Sequence, residues 1–584
     1  MAASSTLEKN LTLFDVYAIS TGAMFSSGFF LLPGIAAAEA GPSAILAYLV
    51  AGILILPSMF SMAELATAMP KAGGAYYFLD RSLGPLAGTV GGLGTWLALV
   101  FKSAFALIGM GAYLAIFFDV PIKPLAAALT VAFAALNVVG AKETTVLQRV
   151  LVTVLVAVLV FYLVQGFLAV SGQSASATRD QLLPAFPFGA TGFVSTIGLV
   201  FVSYAGLTKV ASVAEEVENP DRNIPLGMVL SLLTATAIYV LGVFVMVTML
   251  DAEALQSDLT PVATSGELFM DWLPEPAGLI LIVIAAIAAF ASTGNAGILS
   301  ASRYPLAMAR DRLVPSNFAT LGRFGTPTQS ILATAGLMLL IIFGLSEEGV
   351  AKLASAFQLL IFALLNLAVI IMRESGIPSY APGYRSPLYP WMQAAGIVVA
   401  VLLIAEMGNL SILFTAAIVV VGIGWYFYYA QQYVGREGAI YHLFARLGKF
   451  RYDALDSELH TILKEKGAGD DSRFEKLVGR ASVFRVNEPR PYDEVVTEVA
   501  DRFATRTDLS PETIKHGFLE GSQYGGTSVA HGTAQPYFLT AGLDREELVL
   551  VQCQSGICVD FDPEGERDMD PVYAFFFLLS PKSD

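Results

Sequence analysis

From residue 16 to residue 430 the chain alternates between long apolar runs and short polar punctuation, and a helix needs about 20 apolar residues to cross a bilayer. Twelve segments meet that length, near 16–36, 43–67, 91–118, 121–139, 147–170, 193–214, 227–250, 277–301, 328–345, 350–372, 389–406 and 410–430. The pattern predicts an all-α polytopic membrane protein. Beyond Gln431 the runs stop and a polar tail begins.

Two of the predicted spans are interrupted. Thr21-Gly-Ala-Met-Phe-Ser-Ser-Gly-Phe-Phe-Leu-Leu-Pro-Gly34 is apolar enough to cross, yet it carries glycines and a proline where a continuous helix suffers. Freed backbone groups at membrane depth need partners, so such a break is tolerated only in protein or against a cavity. The stretch reads either as a hinge unwound from Gly22 to Gly28, with amides free to hold a ligand, or as a glycine-rich helix packed closely on its neighbours. The sixth span repeats the feature: Phe201-Val-Ser-Tyr-Ala-Gly-Leu-Thr-Lys-Val210 puts Gly206, Thr208 and Lys209 inside an apolar helix. Spans 1 and 6 are equivalent if spans 1–5 and 6–10 are repeats, and an odd number of spans per repeat turns the halves over. Paired broken helices in a 5+5 inverted repeat frame a midplane site in transporters.

Charge adds orientation. With the N-terminus cytoplasmic, one side collects Lys9, Lys71, Arg81, Lys142, Arg149, Arg222, Arg303, Arg310, Arg312, Arg323, Arg373 and Arg385, and the other has Lys123, Arg179 and Lys352. This is a positive-inside pattern, and both termini are expected in the cytoplasm of a multi-pass protein of the cell membrane. The loop from Asp251 to Glu275, on the outer side, holds six acids and no base. Composition agrees: of 584 residues, 55% are hydrophobic and 14% charged, against roughly 25% charged in soluble domains. The net charge of −15 gives no sign of nucleic-acid binding. Cys553 and Cys558 lie in the tail without further ligands at metal spacing, and no catalytic constellation points to an enzyme or a cofactor.

Four stretches resemble the amino acid, polyamine and organocation permeases, which have a LeuT-like fold. They are Phe25-Ser-Ser-Gly-Phe-Phe-Leu-Leu-Pro33, Ala63-Glu-Leu-Ala-Thr-Ala-Met-Pro-Lys-Ala-Gly-Gly-Ala-Tyr-Tyr77, Ala214-Glu-Glu-Val-Glu-Asn-Pro-Asp-Arg-Asn-Ile-Pro225 and Arg303-Tyr-Pro-Leu-Ala-Met-Ala-Arg-Asp-Arg-Leu-Val-Pro315. The resemblance implies a secondary active transporter, a symporter or antiporter, of amino acids or related metabolites. It places a substrate carboxylate on the amides of Ser26, Ser27 and Gly28, with Ala23 and Met24 supplying carbonyls. The amine side falls on Phe201, Val202 and Ser203, with Tyr204 and Gly206 shaping the pocket. Thr208 stands where relatives often have an acid, so the titrating role of that acid is absent, but Thr208, which can still hydrogen-bond, and its neighbour Lys209 are the expected gate or coupling residues. Ala23, Ser292 and Thr293 match a sodium site, so sodium and the proton are both candidate coupling ions. The uncharged run Val150 to Leu163 lacks the span-5 lysine of some proton-coupled relatives.

Lys102 is the sharpest single residue, a lysine amid Trp96-Leu-Ala-Leu-Val-Phe-Lys-Ser-Ala-Phe-Ala-Leu107. An intramembrane lysine costs roughly 2.5–3.5 kcal/mol on insertion scales. It is expected to line the site, where it favours a substrate with an extra negative group or occupies a coupling-cation position; a snorkelling structural lysine is the other reading.

The chain divides by sequence into a permease domain 1–431, a charged helical connector 432–476 and a cytoplasmic α/β domain 477–584. Helical spacing over Pro491–Thr505 and apolar runs at Leu548–Gln552 and Tyr573–Leu579 predict its elements. Gly526-Thr-Ser-Val-Ala-His-Gly532, Gly556–Phe561 and Val572–Pro581 resemble the enzyme IIA domains of the sugar phosphotransferase system. That resemblance makes His531 the phosphoacceptor, although Ala530 replaces the usual proline and an upstream arginine is missing. A regulatory ligand or a phosphotransfer protein is the expected partner of this domain, beside substrate, lipid bilayer and a homodimer mate. Transport of another organic or inorganic ion, a membrane-anchored phosphorelay and a sensor remain alternative functions.

Overall fold

A computed structural model describes residues 9–71, 74–118, 120–140, 145–377, 379–434, 438–446, 473–488, 490–523, 529–530, 532–541, 543–558 and 571–582. The chain divides into two compact units, Met1–Leu447 and Gly448–Asp584. His531 lies outside the described residues, as do most of Gly526–Gly532 and of the expected connector.

The described elements of the first unit are helices, and a helix lies on each of the twelve expected segments. Among the described residues nine helical stretches are long and apolar enough to cross a membrane, with two shorter apolar helices, Thr328–Gly344 and Trp391–Glu406. The first predicted span is split into α1 (Leu13–Met24), α2 (Ser27–Phe30) and α3 (Leu32–Ala40), and the second into α4 (Ala44–Leu54) and α5 (Leu56–Ala68). The short helix α6 (Gly74–Leu83) leads into α7 (Pro85–Ala115), followed by α8 (Ile122–Val139) and α9 (Thr145–Gly172). After α10 (Ala175–Leu182), the sixth span comprises α11 (Gly189–Val200), a 3₁₀ segment Phe201–Leu207 and α12 (Thr208–Ser212). The remainder includes α13 (Pro220–Met249), α14 (Ala252–Ser257), α15 (Pro261–Phe269), α16 (Ala277–Arg310), α17 (Thr328–Gly344), α18 (Glu347–Glu374), α19 (Trp391–Glu406) and α20 (Asn409–Trp425).

Both breaks sit deep in this unit: every residue from Ala23 to Ala37 and from Thr196 to Thr208 is buried. The first is narrower than the sequence predicts. Gly22 remains in α1, and only Phe25 and Ser26 leave the helix, Ser26 with φ −147° and ψ −119°. The second is a tightened 3₁₀ helix rather than an unwound strand.

Three buried carboxylates fasten the ends of helices, each matched by a cation because an unpaired buried charge is costly. Asp15 accepts from Thr12 at the start of α1 and pairs with Arg149 of α9. Glu64 of α5 takes both guanidinium branches of Arg373 in α18 at 2.8 and 2.6 Å, plus the Tyr380 hydroxyl and the Ser386 amide and hydroxyl. Asp80 of α6 pairs with Arg81. At the opposite end of the span-1 helices, Glu39 of α3 meets Lys352 of α18 at 2.5 Å and accepts from Ser195 of α11 at 3.0 Å.

The second unit holds a six-stranded sheet in the order β1-β5-β6-β3-β2, with β4 also paired to β6. Its strands are β1 (Ser482–Val486), β2 (Val529–Ala530), β3 (Thr533–Ala534), β4 (Tyr537–Thr540), β5 (Glu547–Cys558) and β6 (Pro571–Pro581). β1 runs parallel to β5, which pairs antiparallel with β6. Helices Tyr492–Ala504 and Pro511–Gln523 supply Val495, Val499, Phe503, Ile514 and Phe518 to a core shared with Phe575 and Phe577. The predicted α/β elements are thus present, with one adjustment: β6 is only half buried, since Tyr573 and Phe576 are 49% and 40% exposed. A run of consecutive apolar residues conceals that alternation from a reading by hydrophobicity.

Candidate functional site

The turn at Phe25–Ser26 begins with hydrogen bonds that partly close on themselves. The Ser26 amide donates to the Met24 carbonyl at 2.9 Å, and the Ser26 carbonyl accepts from the amides of Phe29 and Phe30, both at 3.1 Å. The amides of Ser27 and Gly28 occupy the first turn of a helix, where no intrahelical acceptor exists. Of the three amides expected to form a cradle, that of Ser26 is thus already engaged, while those of Ser27 and Gly28 have no intrahelical acceptor. The Ser26 hydroxyl is buried and makes no hydrogen bond. So are the hydroxyls of Thr21 in α1 and Thr293 in α16.

The two breaks pack directly on each other. A Cβ placed on Gly28 would lie 2.7 Å from the Ser203 side chain and 2.9 Å from its Cα. One on Gly206 would lie 2.7 Å from the Ser20 carbonyl oxygen and 2.8 Å from the Met24 nitrogen. Only glycine permits either approach. Gly206, expected to shape a pocket, is here a point of backbone contact with α1.

A set of buried tyrosines serves the carbonyls that the breaks release. Tyr239 of α13 donates to the Met24 carbonyl at 2.7 Å and lies 3.1 Å from that of Ser203, one hydroxyl joining both breaks. Tyr48 of α4 donates to the Gly28 carbonyl at 2.8 Å and Tyr113 of α7 to that of Phe30 at 2.9 Å. Tyr204, expected at the pocket wall, donates to the Tyr48 carbonyl at 2.7 Å. Val202, expected on the amine side, donates its amide to the Ser355 hydroxyl of α18 at 3.0 Å. Phe201 is buried with its ring edge-on to Phe362.

Lys102 of α7 is 8% exposed and donates from Nζ to the Ala23 carbonyl at 2.9 Å, ending at the first break. Ser292 is half-buried on α16, and the hydrogen bond from Lys102 uses the Ala23 oxygen that the sodium reading invokes together with Ser292 and Thr293. Thr208 donates to the Ala205 carbonyl at 2.8 Å, a bond within its own turn.

Thr208 and Lys209 also line a cavity of about 460 Å³ together with residues of α6, α7 and α16. Its wall includes Tyr76, Tyr77, Arg81, Arg303, Tyr304, Arg310 and Asp311, all from segments the charge pattern puts on the cytoplasmic side. The residues of the span-1 break are not among those lining it. Tyr48, Tyr113, Tyr239, Ser355 and this cavity were missed by the sequence reading, which named Tyr204 alone of the tyrosines as a site residue. Tyrosines in apolar helices read as packing, and only their placement shows that Tyr48, Tyr113 and Tyr239 face carbonyls at the breaks.

The amino acid permease family profile matches residues 11–425, a stretch that contains both breaks, Lys102 and the cavity. The chain belongs to the amino acid permease family. Among its relatives is "Cationic amino acid transporter 2, vacuolar" of Arabidopsis thaliana, 30% identical over 404 residues that cover 65% of this chain and 61% of the relative. "Methylthioribose transporter" and "Branched-chain amino acid permease BcaP", both of Bacillus subtilis, are 25% and 26% identical over 456 residues and are covered over 95% and 94% of their length. Against the Arabidopsis transporters the permease spans less than two thirds of the relatives' length. The family profile falls within the helical unit, and the enzyme-IIA resemblance of the tail gains no support from it.

Proposed function

We propose that this permease is a secondary active transporter of amino acids or related small metabolites that works by alternating access around its two breaks. The reading takes the twelve helical segments as twelve spans, spans 1–5 and 6–10 as an inverted repeat, and both termini as cytoplasmic. The observation that carries it is the junction of the breaks themselves. Gly28 lies against Ser203, Gly206 against Met24, and the Tyr239 hydroxyl joins carbonyls of both. A carboxylate can take the amides of Ser27 and Gly28, and an amine can replace the Tyr239 hydroxyl on the carbonyls of Met24 and Ser203. Substrate would then enter by parting contacts that hold the breaks together in its absence.

The Glu39–Lys352 pair closes α3 against α18 at the outer end, while the cavity below Thr208 stays open. That asymmetry supports a state accessible from the cytoplasm. Lys102 takes the coupling role in this scheme. Its ammonium holds the Ala23 carbonyl in the place of a bound cation, and loss of its proton would release α1. Proton coupling is therefore favoured over sodium.

The test is uptake of labelled amino acids into proteoliposomes under an imposed pH gradient, with and without sodium. Saturable uptake that follows the pH gradient and ignores sodium is expected. Binding without flux would make the protein a sensor, and a sodium requirement would return the Ala23–Ser292–Thr293 site to consideration.

A further inference from the structure

The cavity below Thr208 carries an unusual balance of charge for a chain whose relatives include cationic amino acid transporters by name. Four cations line it, Arg81, Lys209, Arg303 and Arg310, with Asp311 as the lining acid. Asp80 stands behind it, 1% exposed and paired with Arg81. Asp311 is itself engaged, by the Tyr76 hydroxyl at 2.6 Å and by Arg81 at 3.8 Å. Arg81 thus touches both carboxylates, and by count the four cations outnumber Asp80 and Asp311 by two, so Arg303 and Arg310 leave the cavity with a positive excess. Arg303 and Arg310 are exposed and lie two turns apart on one face of α16, aimed from the same side. Tyr76, Tyr77 and Tyr304 complete a wall that is partly apolar. A cavity of about 460 Å³ falls in the range used for small metabolites, and a cleft lined by one sign of charge concentrates ions of the other. Planar guanidinium groups suit carboxylates because they bind both oxygens.

We propose that this cavity binds a small carboxylate metabolite of net negative charge, an acidic amino acid or a dicarboxylate, and turns cationic amino acids away. The proposal deepens the transport reading, since it names the substrate class of that path. The ligand lies between Arg303 and Arg310 with one carboxylate, and its remaining carboxylate faces Lys209, the residue next to the second break. Lys102, at the first break, continues the same sign of charge inward.

The full-length protein in detergent is titrated with glutamate, malate, leucine and lysine, and binding is followed by thermal shift and calorimetry at low and high salt. Glutamate or malate is expected to bind, at least tenfold more tightly than lysine, with affinity falling as salt rises. R303Q/R310Q should weaken that binding about tenfold, and R303K/R310K should recover only the part due to charge, which separates lost charge from a folding defect. Equal binding of lysine, or an unchanged affinity in R303Q/R310Q, overturns the proposal. Proteoliposome flux keeps the two readings apart. Leucine exchange without carboxylate binding sinks this inference and leaves transport standing. Carboxylate binding lost in R303Q/R310Q, with no flux of any solute, sinks transport and leaves the site.

Discussion

Replacing Lys102 with methionine separates a functional cation from a structural strut. The lysine is 8% exposed, and its Nζ has one hydrogen bond, to the Ala23 carbonyl at 2.9 Å. Among the described residues no carboxylate lies within ion-pair distance of it. Removing it forfeits a charged hydrogen bond and strands a carbonyl, each about 1–3 kcal/mol. It also removes a buried charge whose desolvation costs several kcal/mol. The two effects oppose each other, and methionine fills nearly the same space. The expected net change is within about 2 kcal/mol of zero, unlike the 3–5 kcal/mol lost when half of a buried ion pair is deleted. K102M should therefore melt at or near the wild-type temperature in detergent while its substrate flux loses its response to a pH gradient. A large drop in melting temperature with normal pH-driven flux would refute this reasoning and make the lysine a strut.

Tyr239→Phe removes the hydroxyl shared by Met24 and Ser203 without changing packing, and should cost about 1 kcal/mol while altering substrate KM, as read by thermal melting and uptake. Gly206→Val drives a side chain into the backbone of Ser20 and Met24 and should abolish uptake, whereas Gly336→Val, which meets nothing within 4 Å, should not. Glu64→Gln leaves Arg373 half-answered beneath Ser386 and should lower stability by about 3–5 kcal/mol, with E64Q/R373M recovering part of the loss by melting temperature. Burial pushes the Cys553 thiol above its ordinary pKa, so thiolate is scarce near neutral pH and alkylation should be slow until urea unfolds the tail.

The helical unit was legible because a bilayer imposes length and polarity on every crossing, and Gly22, Gly28, Pro33 and Gly206 violate that rule conspicuously enough to mark the breaks. Their extent was less legible. Gly22 stays helical because its successors, Ala23 and Met24, still find acceptors, and the chain turns only where Phe25 and Ser26 leave helical φ and ψ. Lys102 announced itself by its cost, but nothing in its sequence neighbourhood names Ala23 as its partner; that requires α7 to cross α1. Tyr239 and Ser355 were invisible for the converse reason, since a tyrosine or serine in an apolar helix satisfies no spacing rule until the carbonyl or amide it meets is in place. The basic cavity gathers Arg81, Arg303 and Arg310, which the positive-inside pattern had explained one at a time, together with Lys209 beside the second break. In the tail, β6 concealed its exposed face because Phe575, Phe576 and Phe577 are apolar on both sides of the strand.

The most direct measurement is counterflow of a labelled amino acid into proteoliposomes loaded with unlabelled substrate, run side by side for the wild type and Gly206→Val. Expected is saturable, trans-stimulated uptake by the wild type and none by Gly206→Val, because the two breaks can no longer close on each other. Uptake by both, or binding to the wild type with no exchange at all, would contradict alternating access around these breaks.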